Sequence, residues 1–328
     1  MGDIVPVTGG GGSHAGEVVG LDANAAAARD YAHASRAAST RRLYATDWAR
    51  FQDWCAARGV PPLPAAPELV ALFIAAEADT GIAPPTITRR LAAIAWAHQL
   101  AGQVAPQRAP GGEVIREVMS GIRRSRGAPP ARKAAADDGV LRDMLRAIEG
   151  DGLREVRARA VLAIGFAAAL RRAELVAIRA EDVLRDADGV RLTIRRSKTD
   201  QEGRGEIVAI PNGERLRPVA LLDAWLAAAT VTDGFLFRRL DAAERVTDSP
   251  MSDRAVGRLV QASAAAAGYN PRRFGGHSLR AGFITSAARG GASIFKIQEV
   301  SRHRSVQVLA GYVRDAQLYR DHAGSGFL

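Results

Sequence analysis

The chain has 328 residues, enough for two domains with cores of their own, and 47% of them are hydrophobic, as expected of a soluble globular protein. The sequence contains no apolar run of about 18 residues that would predict a transmembrane helix, and its Gly-rich start lacks the pattern of a secretory signal. We therefore expect a cytoplasmic protein with no membrane partner. The lone Cys55 excludes a disulfide framework, and a net charge of +10 favours a polyanion, with nucleic acid as the first candidate.

Arginine supplies nearly all of the positive charge. Lysine occurs only at positions 133, 198 and 296, so 42 of the 45 basic residues are arginines. Together with abundant alanine, this composition indicates a GC-rich coding bias. Arginine content is therefore weak support for DNA binding, whereas a lysine inside a motif is more informative.

The first part of the chain is expected to form a small helical domain. Residues 1–30 are Gly- and Ala-rich, and we expect disorder there; a helical domain is predicted over 31–123. Ser39 is a candidate N-cap for its first helix, and further helices are expected after Pro67, after Pro84-Pro85 and over about 113–124. The apolar positions that predict these four helices are Tyr44, Trp48, Phe51 and Cys55; Leu69, Val70, Leu72 and Phe73; Ile87, Leu91, Ile94 and His98; and Val114, Val118 and Ile122.

A basic linker is predicted over 124–136, within and after the run RRSRGAPPARK. A solvated charge run is the simpler interpretation. The functional alternative is a strap along a phosphate backbone. The candidate DNA-binding residues are Arg89, Arg90, Arg123, Arg124, Arg132 and Lys133.

A second domain is predicted over 137–328, with a C-terminal tail over 314–328. Alternating residues predict strands over 191–196 and 206–210, and a short strand is expected at 235–237. The fold class is therefore mainly α with a small β-sheet, that is, α+β. Helices are expected over 138–148, 153–169, 217–229, 252–267, 277–289, 293–301 and 305–313.

Six scattered residues could break a phosphodiester without a metal ion: Arg171, Lys198, His277, Arg280, His303 and Tyr312. Guanidiniums bind phosphate oxygens through paired hydrogen bonds and keep their charge, and a tyrosine can supply the attacking oxygen. Each residue alone has an ordinary alternative. Tyr312 could be a core tyrosine, His303 a surface histidine and Lys198 a solvated turn residue.

The order of these residues along the chain favours the functional interpretation over the ordinary ones. AALRRAEL ending at Leu175, RRSKT at 195–199, GGHSLRA at 275–281 and GYVR at 311–314 together resemble the tyrosine recombinase (phage integrase) family, most closely its Cre-type branch. The resemblance covers about 39–325. It implies that Arg171, Arg280 and His277 bind the scissile phosphate, and that His303 also contacts it. Lys198 would be the general acid, Tyr312 the nucleophile and Glu174 a brace for Arg171.

The resemblance also implies the reaction and the partners. We expect a two-domain, C-shaped clamp on duplex DNA with inverted-repeat sites, working as a tetramer through a 3′-phosphotyrosine, with no cofactor or metal. It also implies a bacterial or phage-derived protein whose tail docks in trans, with packing in cis as the alternative, and it leaves accessory proteins open. A type IB topoisomerase and a catalytically idle DNA-binding protein are the rival functions.

One position departs from the family pattern. Ser-Arg-His stands at 301–303 where Leu-Gly-His is common, and Arg302 is expected either to contact phosphate or to be exposed.

Overall fold

The computed structural model describes residues 36–127, 133–195 and 205–316, together with Asn24, Ala27, Tyr31 and Gly324. It divides into two compact units, Met1–Pro130 and Ala131–Leu328. Within the described ranges helices dominate and the strands form small antiparallel sheets, which confirms the predicted α+β class. None of the helices in these ranges is both long and apolar enough to cross a bilayer.

The first unit is helical throughout its described part. Pro67 and Pro84 each open a helix, where a missing backbone N–H costs no hydrogen bond. The rings of Phe51 and Phe73 meet edge to face at 5.0 Å in the core, and Cys55 is buried beside them, as predicted. The elements are α1 Ala38–Ala56, α2 Pro67–Asp79, α3 Pro84–Leu100, a 3-10 turn Pro106–Arg108 and α4 Glu113–Arg126.

Two details of this unit differ from the sequence prediction. The helix α1 begins at Ala38 after Ala37 and has no side-chain cap, so the assignment of Ser39 as N-cap is wrong. Leu72 is 63% exposed, because the buried face of α2 is formed by Val70, Phe73 and Ile74.

The second unit combines helices with two antiparallel sheets in its described part. In the first sheet β2 lies between β1 and β3, and Ile194 of β2 pairs with Glu206 of β3. The helices are α5 Asp138–Arg146, α6 Leu153–Ala167, α7 Arg172–Ala177, α8 Pro218–Ala229, α9 Asp253–Ala266, α10 Ser278–Arg289, α11 Ile294–Ser301 and α12 Val306–Ala316. The strands are β1 Val183–Asp186, β2 Gly189–Ile194, β3 Glu206–Pro211, β4 Arg238–Leu240 and β5 Val246–Pro250; 3-10 turns lie at Ala180–Asp182 and Pro271–Arg273.

The short strand predicted at 235–237 is wrong by three residues. Phe235 makes only an isolated bridge with Arg179, and Phe237 points into the core. The paired strand is β4, whose partner β5 was not predicted. An apolar run marks burial, but a strand also needs a partner, and the sequence does not show where that partner lies.

The core of this unit surrounds α6. Val161, Leu162 and Ile164 are buried on successive faces of that helix, so it is covered on nearly all sides. Trp225 of α8 packs in the same core, and its Nε1 donates to the carbonyl of Leu236 at 2.8 Å. The end of α6 is therefore held firmly, and the next residues of the chain lead to Arg171.

The segment 133–138 lies along α10 and the turn before it. The N–H of Ala134 donates to Arg273 O at 2.6 Å, and the N–H of Ala136 donates to Ser278 O at 2.9 Å. This approach needs a glycine, because a Cβ atom on Gly282 would lie 1.8 Å from the carbonyl oxygen of Ala136. We call residues 133–138 the entry strap.

Candidate active site

Arg171 stands where the chain turns between α6 and α7. Ala169 adopts a left-handed conformation with φ of 47°, and Arg171 occupies the position before α7. Its Nη1 donates to Glu174 Oε1 at 2.5 Å, and its backbone N–H donates to Glu174 Oε2 at 2.9 Å. Glu174, on the first turn of α7, thus holds both the side chain and the backbone of Arg171.

Glu174 is a buried carboxylate, with only 3% of its side chain exposed. Burial by itself raises its pKa. The hydrogen bond from the backbone of Arg171 and the charges of Arg302 and Arg171 outweigh burial, so the pKa of Glu174 lies below its ordinary value. The carboxylate is ionised at neutral pH and can hold two guanidiniums.

Arg280 extends from the first turn of α10 and is almost fully buried. Its Nη1 donates to Ala169 O at 2.7 Å, and its Nη2 lies 3.2 Å from His303 Nδ1. Burial and the charge of Arg171 lower the pKa of Arg280 to about 9, which leaves it charged at neutral pH. His277 precedes α10, is exposed, and lies close enough for its charge to act on His303.

His303 follows α11 and is half-buried. Its Nδ1 lies 2.9 Å from Ser301 Oγ, and its backbone carbonyl accepts from Gln298 Nε2 at 2.8 Å. Arg280 Nη2 lies 3.2 Å from Nδ1 and 3.5 Å from Nε2, and a guanidinium can only donate, so Nδ1 is the better placed acceptor and the proton of the neutral ring is assigned to Nε2. Burial and the charge of Arg280 lower the pKa of His303 to about 4, so the imidazole is neutral at pH 7.

Tyr312 lies in the middle of α12, which packs against α10 and α11. Its ring is partly buried beside a small apolar cluster that includes Ile284, Ile297 and Leu309. The phenol is close enough to the guanidinium of Arg280 to act on its charge. The structure therefore places Arg171, Arg280, His277, His303 and Tyr312 close to one another.

Lys198 belongs to 196–204, which lie outside the described residues. The strands on either side of that segment are described, and their last pair is Ile194 with Glu206.

For Arg302 the sequence left two alternatives, a phosphate contact or an exposed side chain. The second is wrong, because Arg302 is only 7% exposed. Its Nη2 donates to Glu174 Oε2 at 2.8 Å, and its Nη1 donates to Ala168 O at 3.2 Å and Val300 O at 2.8 Å. The only sequence signal was the departure from Leu-Gly-His.

The predicted DNA-binding residues have different environments. Arg89 donates to Asp47 at 2.7 Å, and Arg90 contacts the buried Asp47 and Glu77 with 14% of its own side chain exposed. These contacts give Arg90 a structural role within the first unit. Arg123 and Arg124 are exposed near the end of α4. Lys133 is exposed, and its Nζ donates to Arg272 O at 2.5 Å; Arg132 lies outside the described residues.

A basic groove of about 460 Å³ lies beside His277. Arg254 and Arg258, one turn apart on α9, are exposed along it, and Arg172 reaches it from α7. Gly276 lets Arg172 pass, since a Cβ there would lie 1.8 Å from Arg172 Cδ. Sequence analysis missed these three arginines, because 42 arginines in the chain hide any local pattern.

The described residues contain no group of three or more His, Cys, Asp or Glu side chains arranged to hold a metal ion. The site consists instead of guanidiniums, imidazoles and a phenol, a donor set that suits a phosphate.

Comparison with known proteins identifies the class. Residues 137–318 match the family described as "Phage integrase family". The chain is 34% identical over 291 residues to the "Integrase/recombinase xerD homolog" of Selenomonas ruminantium, covering 88% of this chain and 85% of that protein. It is 27% identical over 281 residues to "Recombinase cre" of Escherichia phage P1, covering 80% of each.

A solved structure shows the same fold. The XerH site-specific recombinase, in its post-cleavage complex with the palindromic difH substrate, superposes with a TM-score of 0.60 at 16% identity, over 78% of this chain and 70% of that one. The chain belongs to the phage integrase family. The predicted activity, that of a tyrosine site-specific recombinase that breaks and rejoins DNA strands, is confirmed.

Proposed function

We propose that this chain recombines DNA at specific sites by using Tyr312 as the nucleophile. The observation that carries the assignment is the meeting of Arg171, Arg280 and the neutral His303 beside the phenol of Tyr312. These are the groups needed to bind one phosphate and attack it.

In the proposed reaction, the two arginines hold the non-bridging oxygens of the scissile phosphate. Arg171 and Arg280 keep their charge and are fixed before DNA arrives, so they stabilise the charge that develops as the phosphate is attacked. His277 and the Nε2–H of His303 supply further hydrogen bonds to the same phosphate.

Bond making and breaking involve Tyr312 and Lys198. The bond between Tyr312 Oη and phosphorus forms as the bond from phosphorus to the 5′ oxygen breaks. The phenol gives up its proton to solvent water, and Lys198 protonates the leaving oxygen. The 5′-OH of a partner strand then attacks the 3′-phosphotyrosine and releases Tyr312. The covalent link retains the bond energy, so the exchange needs no ATP.

The DNA partner is a duplex with inverted-repeat sites. Arg254 and Arg258 border His277 across the basic groove and are exposed, so we assign them to phosphates next to the scissile one. Four residues at the end of α4 and in the linker contact the DNA backbone further along: Arg123, Arg124, Arg132 and Lys133. Arg89 adds a contact from the first unit.

Strand exchange joins two duplexes, and we propose that four protomers act together. Inverted repeats present two-fold symmetric surfaces, which favour a closed symmetric assembly. The tail 314–328 begins two residues after Tyr312 and docks on a neighbouring protomer. The reaction takes place in the cytoplasm, where accessory proteins can act on the same DNA.

A suicide substrate tests the nucleophile. DNA nicked close to the cleavage point loses a short piece after attack and traps the covalent complex as an SDS-resistant band. Tyr312→Phe should bind DNA normally and give no band, because only the phenolic oxygen is lost. Tyr269→Phe is the control and should behave like wild type, because the Tyr269 hydroxyl donates to Asp143 of α5 and not to a residue of the site. A covalent band from the Tyr312 variant would exclude Tyr312 as the attacking residue.

A sulfur substitution tests the general acid. A 5′-phosphorothiolate leaving group needs no proton, so it should restore cleavage to Lys198→Ala, which should cleave ordinary DNA poorly. If the variant stays inactive on the sulfur substrate, Lys198 has another role. Recombinant products from DNA with two sites then distinguish strand exchange from simple relaxation.

A further inference from the structure

The backbone of Arg302 adopts a conformation that suits glycine better than arginine. It ends α11 in the left-handed region, with φ of 55° and ψ of 44°. Helices commonly end in this way with a glycine or asparagine, because a larger side chain crowds the backbone there. A buried arginine at this position therefore needs contacts that compensate for its conformation and its lost hydration.

Those contacts reach three separate parts of the site. The guanidinium binds Glu174, the brace of Arg171, and also the carbonyl at Ala168 near the end of α6. Its Nε faces Glu206 Oε2 at 3.5 Å. The backbone carbonyl of Arg302 lies 3.4 Å from Nη2 of Arg171. One side chain thus links α7, the base of the β2–β3 hairpin and the loop that carries His303.

The shared carboxylate has an electrostatic consequence. Glu174 binds Arg171 through Oε1 and Arg302 through Oε2. If Arg171 were its only partner, the buried negative charge would offset the cation that must attract phosphate. With Arg302 on the other oxygen, Glu174 still orients Arg171, while the site keeps a positive field.

The contact with Glu206 points to the hairpin. Glu206 pairs with Ile194 where β2 ends and β3 begins, on either side of the segment that contains Lys198. Within the part of the chain described, Glu206 Oε2 and Arg302 Nε have no hydrogen-bond partner. Their separation of 3.5 Å is longer than a strong hydrogen bond but lies within the range of an ion pair.

We infer that Arg302 is a positioning residue for DNA cleavage: it joins Glu174 to Glu206 and so aligns Arg171 with the hairpin that carries the general acid. It does not touch the phosphate itself. The inference rests on the proposed function, in which Arg171 binds phosphate and Lys198 protonates the leaving oxygen.

The test compares cleavage of ordinary and 5′-phosphorothiolate DNA by Arg302→Gly. Glycine suits the left-handed backbone, so the loop is kept while the guanidinium is lost. Ordinary cleavage should fall about 10- to 100-fold, as when other supporting contacts of a site are removed. DNA affinity should stay near wild type. The sulfur substrate should restore part of the rate, because misplacement of Lys198 no longer matters there.

A second variant guards against simple unfolding. Glu206→Ala removes the hairpin side of the link from a partly exposed strand residue, and it should show the same partial rescue by sulfur. Glu299→Ala is the matched control, since Glu299 lines a groove together with Glu206 and Arg302 but pairs with Lys296 at the surface. If Arg302→Gly does not fold, Glu206→Ala decides: partial rescue by sulfur supports the inference, and no rescue overturns it.

Three results would overturn the inference: cleavage at the wild-type rate, equal losses of affinity and cleavage, or no rescue by sulfur in either variant. Tyr312→Phe run in parallel separates the two proposals. If it blocks covalent complexes while Arg302→Gly is fully active, the proposed function stands and the role of Arg302 does not.

Discussion

The pKa values of Arg280 and His303 are lowered by the same cause, which is burial among positive charges. The pKa of Arg280 falls to about 9 and that of His303 to about 4. At pH 7 the guanidinium is still charged and the imidazole is neutral. The free enzyme therefore offers a phosphate fixed cations and a neutral donor without first moving a proton.

Replacing either arginine of the site should affect chemistry more than binding. Arg171→Ala and Arg280→Ala should lower the single-turnover rate of covalent complex formation by about 10²- to 10³-fold, the effect of losing one fixed donor. Affinity in gel-shift titrations should change little, because it is spread over many phosphates. Arg258→Ala is the contrast: it should weaken binding and reduce its salt dependence while sparing the rate at saturation. Equal losses of rate and affinity would make Arg171 and Arg280 ordinary backbone contacts.

The depressed pKa of His303 predicts a pH effect on stability. Its folded pKa of about 4 lies below the ordinary 6.5, so between these values the folded protein binds fewer protons than the unfolded chain. The contribution is complete above about pH 6.5 and is lost as the pH falls towards about 4. Urea unfolding at pH 7 and pH 5 should show a smaller loss of stability for His303→Gln than for wild type. Equal losses would mean that His303 titrates normally.

At the scale of elements, α10 carries the most constraints, since it holds His277 and Arg280 at one end and the entry strap along its side. The strap and the helix meet backbone to backbone at Gly282, where no flexible side chain can move aside. Any side chain at that position must push the two apart.

Gly282→Ala should therefore destabilise the second unit, by about 1–3 kcal/mol as for other overpacked sites, and should slow cleavage as α10 shifts. The measurement is the free energy of unfolding in urea together with the covalent complex rate. Gly121→Ala is the control: Gly121 lies in α4 with open space around it, and alanine favours a helix there. A Gly282 variant as stable as wild type would show that the strap adjusts freely.

The sequence predicted elements better than environments. Apolar spacing located α3, since Ile87, Leu91 and Ile94 are all buried. The burial of Arg302 could not be predicted, because its partner Glu174 lies 128 positions away and only the folded chain shows that a cation there is matched. The ion pairs of Arg90 could not be predicted for the same reason, since Asp47 and Glu77 belong to other helices.

For the whole molecule, the arginines that produce the net charge of +10 serve two different purposes. Arginines such as Arg90 and Arg302 are used inside the protein against buried carboxylates. Others, such as Arg254 and Arg258, are exposed and available to DNA. Affinity for DNA therefore follows from where the exposed arginines lie and not from the total.

Assembly on two DNA sites is expected to depend on the tail. Deleting 316–328 should leave binding to a single site nearly intact but abolish the synapsed tetramer and recombination. Native gels with one-site and two-site DNA report both states. Removing only Phe327 and Leu328 asks whether the apolar end makes the contact. If the longer deletion still forms synapses at the wild-type level, the tail packs in cis.

The entry strap has a consequence for how this protein can be divided, in the laboratory or by gene fusion. Among the described residues, the contacts of the second unit begin at Lys133, five residues before α5, because Lys133, Ala134 and Ala136 bond to the segment around His277. A fragment starting at Asp138 would keep every helix of that unit and still expose the carbonyls of Arg273 and Ser278. A chimaera that joins this unit to a foreign DNA-binding domain should therefore have its junction before Lys133. A later junction would remove the hydrogen bonds that hold the segment around His277.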